Sequence, residues 1–218
     1  MIVPYHKKAG EVEPLDFFRG STSRAIETEV LMDRQKALDF LKKHLQQENI
    51  IKHLLATEAV MGALFDRIKE GEREDWIMAG LLHDGDYVAA VPHELQGIKV
   101  SEMLEAEGFT VPESVRYAMA AHNAENTHVE PQSKMDWALF CADSLTGLIV
   151  ATALVRPDKK LASVEVGSVM KKFKNPSFAA GTRREDIAFC QEKLDIPLDE
   201  FVSIALTAMQ KIAVDLGL

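Results

Sequence analysis

The chain is organised around residues 75–86, which read DWIMAGLLHDGD. Residues 76–82 are apolar almost all round a helix, so this helix should be buried. Gly85 is expected to end it with a positive φ. Asp84 is unusual, because a carboxylate in the last turn faces the negative end of the helix dipole and loses water near a core. No Lys or Arg lies nearby in sequence, and a divalent cation shared with His83 would supply the missing positive charge.

The composition, together with the absence of membrane and export signals, predicts a soluble, cytoplasmic protein. The 218 residues suit one compact domain, and 47% hydrophobic and 27% charged residues are ordinary for a globular chain. No apolar run reaches the roughly 18 residues of a membrane span, and the N-terminus lacks the apolar core of a signal peptide. Cys141 and Cys190 lie in apolar helical surroundings, which predicts free buried thiols in a reducing compartment. The formal net charge of −9 argues against a nucleic-acid polymer as partner.

Apolar residues recur with helical spacing from about residue 33 to the C-terminus, which predicts an all-α fold with about nine helices and no significant sheet. Residues 1–33 are broken by Pro and Gly and are interpreted as an N-terminal extension, with a helix from Thr22 to Leu31. Residues 34–155 are expected to form a metal-binding helical domain, and residues 156–218 to add helices packed on it. Helices are expected at about 37–45, 50–69, 75–84, 93–108, 112–122, 134–155, 161–173, 183–193 and 198–216.

Six side chains in apolar or helix-terminal settings are candidate metal ligands. They are His53, His83, Asp84, His93, His122 and Asp143. Asp143 follows the apolar run 137–142 on an expected core helix, where an unpaired ionised carboxylate would be costly. Imidazole and carboxylate together suit Fe, Mn, Zn, Ni or Co better than Ca.

The order of these residues resembles a known family. KH at 52–53, AGLLHD at 79–84 and ADSL at 142–145 resemble the H…HD…D signature of the HD superfamily of metal-dependent phosphohydrolases. The HELQG segment at 93–97 and the AHN segment at 121–123 are similar to the two additional histidines of its HDIG-type, two-metal members. The resemblance covers roughly residues 34–155. It departs from the HDIG pattern at residues 85–86, where Gly-Asp stands in place of Ile-Gly.

The resemblance implies a division of labour among the six ligands. His53, His83, Asp84 and Asp143 would hold one ion, and Asp84 would bridge to a second ion held by the two additional histidines. The ions would be two of Fe, Mn, Zn, Ni or Co, with Mg as a further option. Catalysis would centre on His83 and Asp84. A metal-bound hydroxide would hydrolyse a small phosphate ester, with a nucleotide as one candidate.

Substrate binding has weaker candidates in the sequence. Asp86 either orients a ligand histidine or is a solvated loop residue. Basic residues could bind a substrate phosphate or could form a solvated face, and these are Lys52, Lys171, Lys172, Lys174 and Arg183.

Two other functions remain open at this point. A di-iron oxygenase of the same fold would depend on O₂, and a non-catalytic sensing module would have lost its ligands. A homodimer is one option for the assembly.

Overall fold

The computed structural model describes residues 30–218. The described chain is all-α, with eleven α-helices, nine of them of seven residues or more. This confirms the predicted fold class. The helices are α1 (Arg34–His44), α2 (Glu48–Ile68), α3 (Arg73–Leu82), α4 (Lys99–Ala106), α5 (Glu113–Ala121), α6 (Ala124–Thr127), α7 (Lys134–Leu154), α8 (Val166–Phe173), α9 (Arg184–Lys193), α10 (Leu198–Lys211) and α11 (Ala213–Leu216).

The described part of the chain has one small pair of strands. β1 (Val30–Leu31) runs parallel to β2 (Phe109–Thr110). The helix predicted from Thr22 to Leu31 is therefore wrong at its last two residues, which are extended and pair with β2. The remainder of that helix lies outside the described residues.

A close approach of α2 and α3 sets up the site. Gly80 lies inside α3, and a Cβ there would come 2.9 Å from the Cγ of Met61 and 2.9 Å from the carbonyl oxygen of Thr57, both on α2. Glycine in a helix interior costs up to about 1 kcal/mol relative to alanine. Here it lets the two helix backbones approach closely, and this brings the end of α3 beside His53 of α2.

The long apolar helix α7 is the centre of the core. It begins at Lys134 with a capping box, in which the Ser133 hydroxyl accepts from the backbone N–H of Asp136 and the Asp136 carboxylate accepts from that of Ser133. α7 is long and apolar enough to cross a membrane. It packs instead against α2, α5, α8, α9 and α10, and thirteen of its side chains are buried, as in the core helix of a soluble protein.

The helix predicted from His93 to Gly108 is interrupted. Residues His93–Leu95 form a single 3-10 turn, and α4 begins only at Lys99. Gly97 has a φ of 86°, in the left-handed region that an α-helix excludes. The chain changes direction at this glycine, and the prediction of a continuous helix was wrong for that reason.

The C-terminal helices pack on the same core, since α9 lies on α7 and α10 lies on α2. The connection between α8 and α9 is held by one side chain. The guanidinium of Arg184 donates to the carbonyl oxygens of Phe173, Asn175 and Thr182 at 2.9–3.1 Å, and also to that of Phe178. These bonds fix the loop at residues 174–183 against the end of α8.

Candidate metal centre

Four of the predicted ligands converge from three helices. His53 lies on α2, His83 caps the C-terminus of α3 and is followed by Asp84, and Asp143 lies on α7. The Nε2 atom of His53 is 3.1 Å from Nε2 of His83 and 3.0 Å from Oδ1 of Asp143. An oxygen of Asp84 lies 3.7 Å from Nε2 of His83 and 3.9 Å from Nε2 of His53.

The histidines turn their Nε2 atoms toward one another because their Nδ1 atoms are used elsewhere. His83 is fully buried, and its Nδ1 lies 2.9 Å from the carbonyl oxygen of Gly80, which can only accept. The Thr146 hydroxyl donates to the carbonyl oxygen of Asp143, so it accepts from Nδ1 of His53 at 3.1 Å. Both rings therefore carry Nδ1–H and turn Nε2 inward, toward each other and toward Asp143. Two lone pairs at 3.1 Å repel each other unless a cation or a proton lies between them.

His122 joins the cluster through Asp84. It caps the C-terminus of α5, and its Nδ1 faces the carbonyl oxygen of Met119 while its Nε2 lies 3.4 Å from the second oxygen of Asp84. Its ring packs edge-on against His83, with ring centroids 4.8 Å apart. Burial lowers the pKa of His122, but the hydrogen bond and charge of Asp84 outweigh burial, and the pKa is raised above its usual value.

The two carboxylates are held ionised by the histidines. Burial opposes ionisation of Asp84, but His83 and His122 outweigh it and lower the pKa of this carboxyl. Burial also opposes ionisation of Asp143, and here hydrogen bonds from His53 and His83 hold the pKa well below its usual range. Ionised carboxylates beside imidazole nitrogens are the donor set that first-row divalent metals prefer. His53, His83 and Asp84 could hold such an ion, since one donor atom from each lies within 4.8 Å of the others.

Among the six predicted ligands, all in the described part of the chain, His93 alone makes no hydrogen bond, ion pair or ring contact with another. Its side chain is exposed, and its Nδ1 lies 3.1 Å from the amide oxygen of Gln96. Only its backbone approaches the site, because the His93 carbonyl accepts from the side-chain amide of Asn123. The second metal set implied by the family resemblance is therefore represented in this arrangement by His122 and Asp84 without His93.

Asp86 is neither a solvated loop residue nor a direct partner of a ligand histidine. It is fully buried, and its carboxylate accepts from the backbone N–H groups of Gly97 and Val100 at 2.9–3.0 Å. Burial raises its pKa against the lowering effect of these bonds. Asp86 thereby holds Gly97 against His122, since a Cβ on Gly97 would lie 2.9 Å from Cε1 of that ring. Its burial and its backbone partners leave it no direct contact with a substrate.

Gly85 does not have the positive φ predicted for it. A glycine is needed at this position because a side chain would not fit. A Cβ there would come 2.7 Å from Cγ2 of Val100 and 3.1 Å from Cδ2 of Leu41. The turn after Asp84 therefore packs directly on α1 and α4.

An open cavity of about 600 Å³ adjoins the cluster, and Arg183 lines it. One terminal nitrogen of Arg183 lies 3.8 Å from Oδ2 of Asp143 and the other lies 3.6 Å from Glu125, while its Nε lies 2.6 Å from Asp186. Burial raises the pKa of Asp186 to about 6, although the charge of Arg183 lowers it. The two terminal nitrogens of Arg183 lie beyond hydrogen-bond distance of their acidic neighbours, so they can donate to a ligand in the cavity.

The predicted lysines lie away from this cavity. Lys52 forms an ion pair with Glu48 one turn earlier on α2, with 2.9 Å between Nζ and the carboxylate oxygen. The ammonium of Lys172 lies over the ring of Phe178, 4.1 Å from its centre. Lys171 and Lys174 are exposed and do not line the cavity. Of the basic residues proposed from sequence, the structure brings only Arg183 to the cluster.

Sequence reasoning missed four residues that shape the site. Thr146 orients His53 one turn after Asp143, Asp186 holds Arg183, and Tyr87 and Gly147 line the cavity. The positions of Thr146 and Gly147, three and four residues after Asp143 on one predicted helix, were the available signal. No such signal marks Tyr87 or Asp186.

No family model matches the chain, and no curated protein or solved structure matches it either.

Proposed function

We propose that this protein is a metal-dependent phosphohydrolase that acts on a small phosphate ester. The observation that carries the proposal is the convergence of inward-facing Nε2 atoms and two ionised carboxylates at the edge of an open cavity. Arg183 at the same cavity favours an anionic substrate, because its planar fork matches phosphate oxygens. The two buried free thiols suit the cytoplasm as the place of action.

The residues have separable roles in this proposal. His53, His83, Asp84 and Asp143 would hold the first divalent ion, and His122 would share Asp84 with a second. A divalent ion bound here supplies hydroxide near neutral pH by lowering the pKa of its water, and it neutralises phosphate charge. Arg183 binds a non-bridging phosphate oxygen and orients the ester for in-line attack. The P–O bond to the alcohol breaks, the alcohol departs with a proton, and the phosphate gains the oxygen of water.

The direct test combines metal analysis with turnover. The purified full chain is assayed for bound Fe, Mn, Zn, Ni and Co, and phosphate release is measured from a panel of phosphomonoesters and phosphodiesters with each metal. Asp84→Asn should abolish turnover, while Asp199→Asn, at an exposed position on α10, should leave it unchanged. Activity that survives in Asp84→Asn, or a chain that neither binds metal nor responds to it, contradicts the proposal. Turnover that requires O₂ points to the oxygenase instead.

A further inference from the structure

Beyond the candidate metal cluster, the wall of the cavity is chemically uniform. Apart from the cluster residues and Arg183, its described lining is uncharged and mostly small. This lining consists of Tyr87, Ser144, Gly147, Ala179, Ala180, Gly181 and Thr182. A second anionic group on a substrate would find no further cation among these residues, so the part of the ligand beyond the phosphate should be neutral.

One side of the wall is the exposed backbone of α7 at Gly147. This glycine lies one turn after Asp143, on the same face of the helix, and a Cβ there would meet nothing within 4 Å. No packing requirement among the described residues therefore explains a glycine in this helix, where alanine is the more favourable residue. The open space above it belongs to the cavity.

A second part of the wall carries an aromatic ring. Tyr87 is 39% exposed and lines the cavity, and its backbone N–H donates to the carbonyl oxygen of Asp84 at 3.0 Å. The backbone of Tyr87 is thus tied to the turn that carries the candidate ligand Asp84. Partly exposed aromatic rings offer a flat apolar face on which planar groups stack.

The third side is preformed. The loop that contributes residues 179–182 is tied to α8 and to itself by the guanidinium of Arg184. Ala179 has a φ of 46°, which a loop keeps only when its surroundings determine it. A wall held in this way supports shape selection in the cavity.

We infer that the cavity takes a phosphate monoester whose alcohol carries an uncharged planar ring. The ring lies between Tyr87 and the open helix face at Gly147, and the phosphate lies between Arg183 and the metal cluster. This inference rests on the proposed function for its phosphate. It adds the class of leaving group and names Tyr87 and Gly147 as the residues that determine specificity.

The test measures binding of two non-hydrolysable probes to the full chain loaded with Mn²⁺. Phenylphosphonate carries the planar ring, and methylphosphonate carries the same acid without it. By calorimetry, the native chain should bind phenylphosphonate more tightly by about tenfold, as aromatic stacking and burial predict. Gly147→Val should lower the affinity for phenylphosphonate by about tenfold or more and the affinity for methylphosphonate by about twofold or less. Tyr87→Leu adds no bulk to the cavity. It should lower the affinity for phenylphosphonate by about threefold to tenfold and leave the affinity for methylphosphonate unchanged.

A matched control is available on another helix. Gly167 of α8 also has nothing within 4 Å of an added Cβ and does not line the cavity, so Gly167→Val should leave both affinities unchanged. If both cavity variants keep the native ratio of the two affinities, the inference about the ring is overturned. If the native chain binds neither phosphonate, the phosphate site of the proposed function fails as well. Tight binding of both probes in equal measure overturns the ring site alone.

Discussion

Replacing Gly97 with alanine is expected to damage both the stability of the fold and the metal centre. Gly97 has a φ of 86°, and an added Cβ would lie 2.2 Å from the carbonyl oxygen of Met119 and 2.9 Å from Cε1 of His122. The first contact is with backbone, so it cannot be relieved by a side-chain rotation. The same carbonyl accepts from Nδ1 of His122. The substitution should therefore displace the ring that reaches Asp84.

The stability lost in Gly97→Ala has two parts, and a second glycine separates them. Gly108 has a φ of 80° and nothing within 4 Å of its added Cβ. Gly108→Ala should cost only the left-handed backbone, about 1–2 kcal/mol. Gly97→Ala should cost the same amount plus about 1–3 kcal/mol for the overpacked contact, and more if the backbone cannot shift.

Urea unfolding of both variants, each compared with the native chain after chelation, gives the two free energies of unfolding. Titration with Mn²⁺ then measures the metal affinity of each variant. Only the Gly97→Ala variant should bind Mn²⁺ more weakly than the native chain. Equal losses of stability in the two variants, with unchanged metal affinity in both, would refute the reasoning that Gly97 is required by the approach of His122.

Three further changes test other parts of the site. Gly80→Ala should push α3 away from α2 and so separate His83 from His53. The affinity for metal should fall, as measured by metal titration. His93→Ala should leave metal stoichiometry unchanged in elemental analysis of the purified chain, because the His93 side chain is exposed and its ring contacts Gln96 and none of the cluster residues. Asp186→Asn should gain stability relative to the native chain as the pH rises from about 4 to about 7. The native Asp186 has a pKa of about 6 when folded, so the folded state binds more protons than the unfolded state in this window and loses stability as they leave. The gain should be on the order of 1–3 kcal/mol in urea unfolding at the two pH values, and a difference that stays constant would contradict it.

The helices and most of the candidate metal centre could be predicted, the helices from local rules and the candidate ligands from local rules together with the family resemblance. Apolar spacing indicated α2, α3 and α7, and a carboxylate such as Asp143 in an apolar run required a positive partner wherever it lay. The chain order of histidine and aspartate then indicated the ligands. The predicted set includes all of the residues that the structure brings together in the cluster.

The parts that could not be predicted depend on tertiary contacts. Arg183 and Arg184 are adjacent and identical in type, yet one faces the cavity and the other binds loop carbonyls. Nothing local to the sequence separates them. His93 likewise has the expected spacing from Gly97, but the chain takes a left-handed turn at this glycine and the His93 side chain is exposed.

The position of Asp84, which looked unfavourable in the sequence, becomes understandable from the ends of two helices. Both α3 and α5 terminate at this point, and each is capped by a histidine whose Nδ1 faces a carbonyl of its own last turn. The negative ends of two helix dipoles and the carboxylates of Asp84 and Asp143 are therefore directed at one small volume. Histidine protonation can offset part of this charge, as the raised pKa of His122 indicates, but the inward lone pairs of His53 and His83 would be lost to protons. A divalent cation offsets the charge and uses the lone pairs at the same time, so the helix ends that disfavour Asp84 alone favour Asp84 as a ligand.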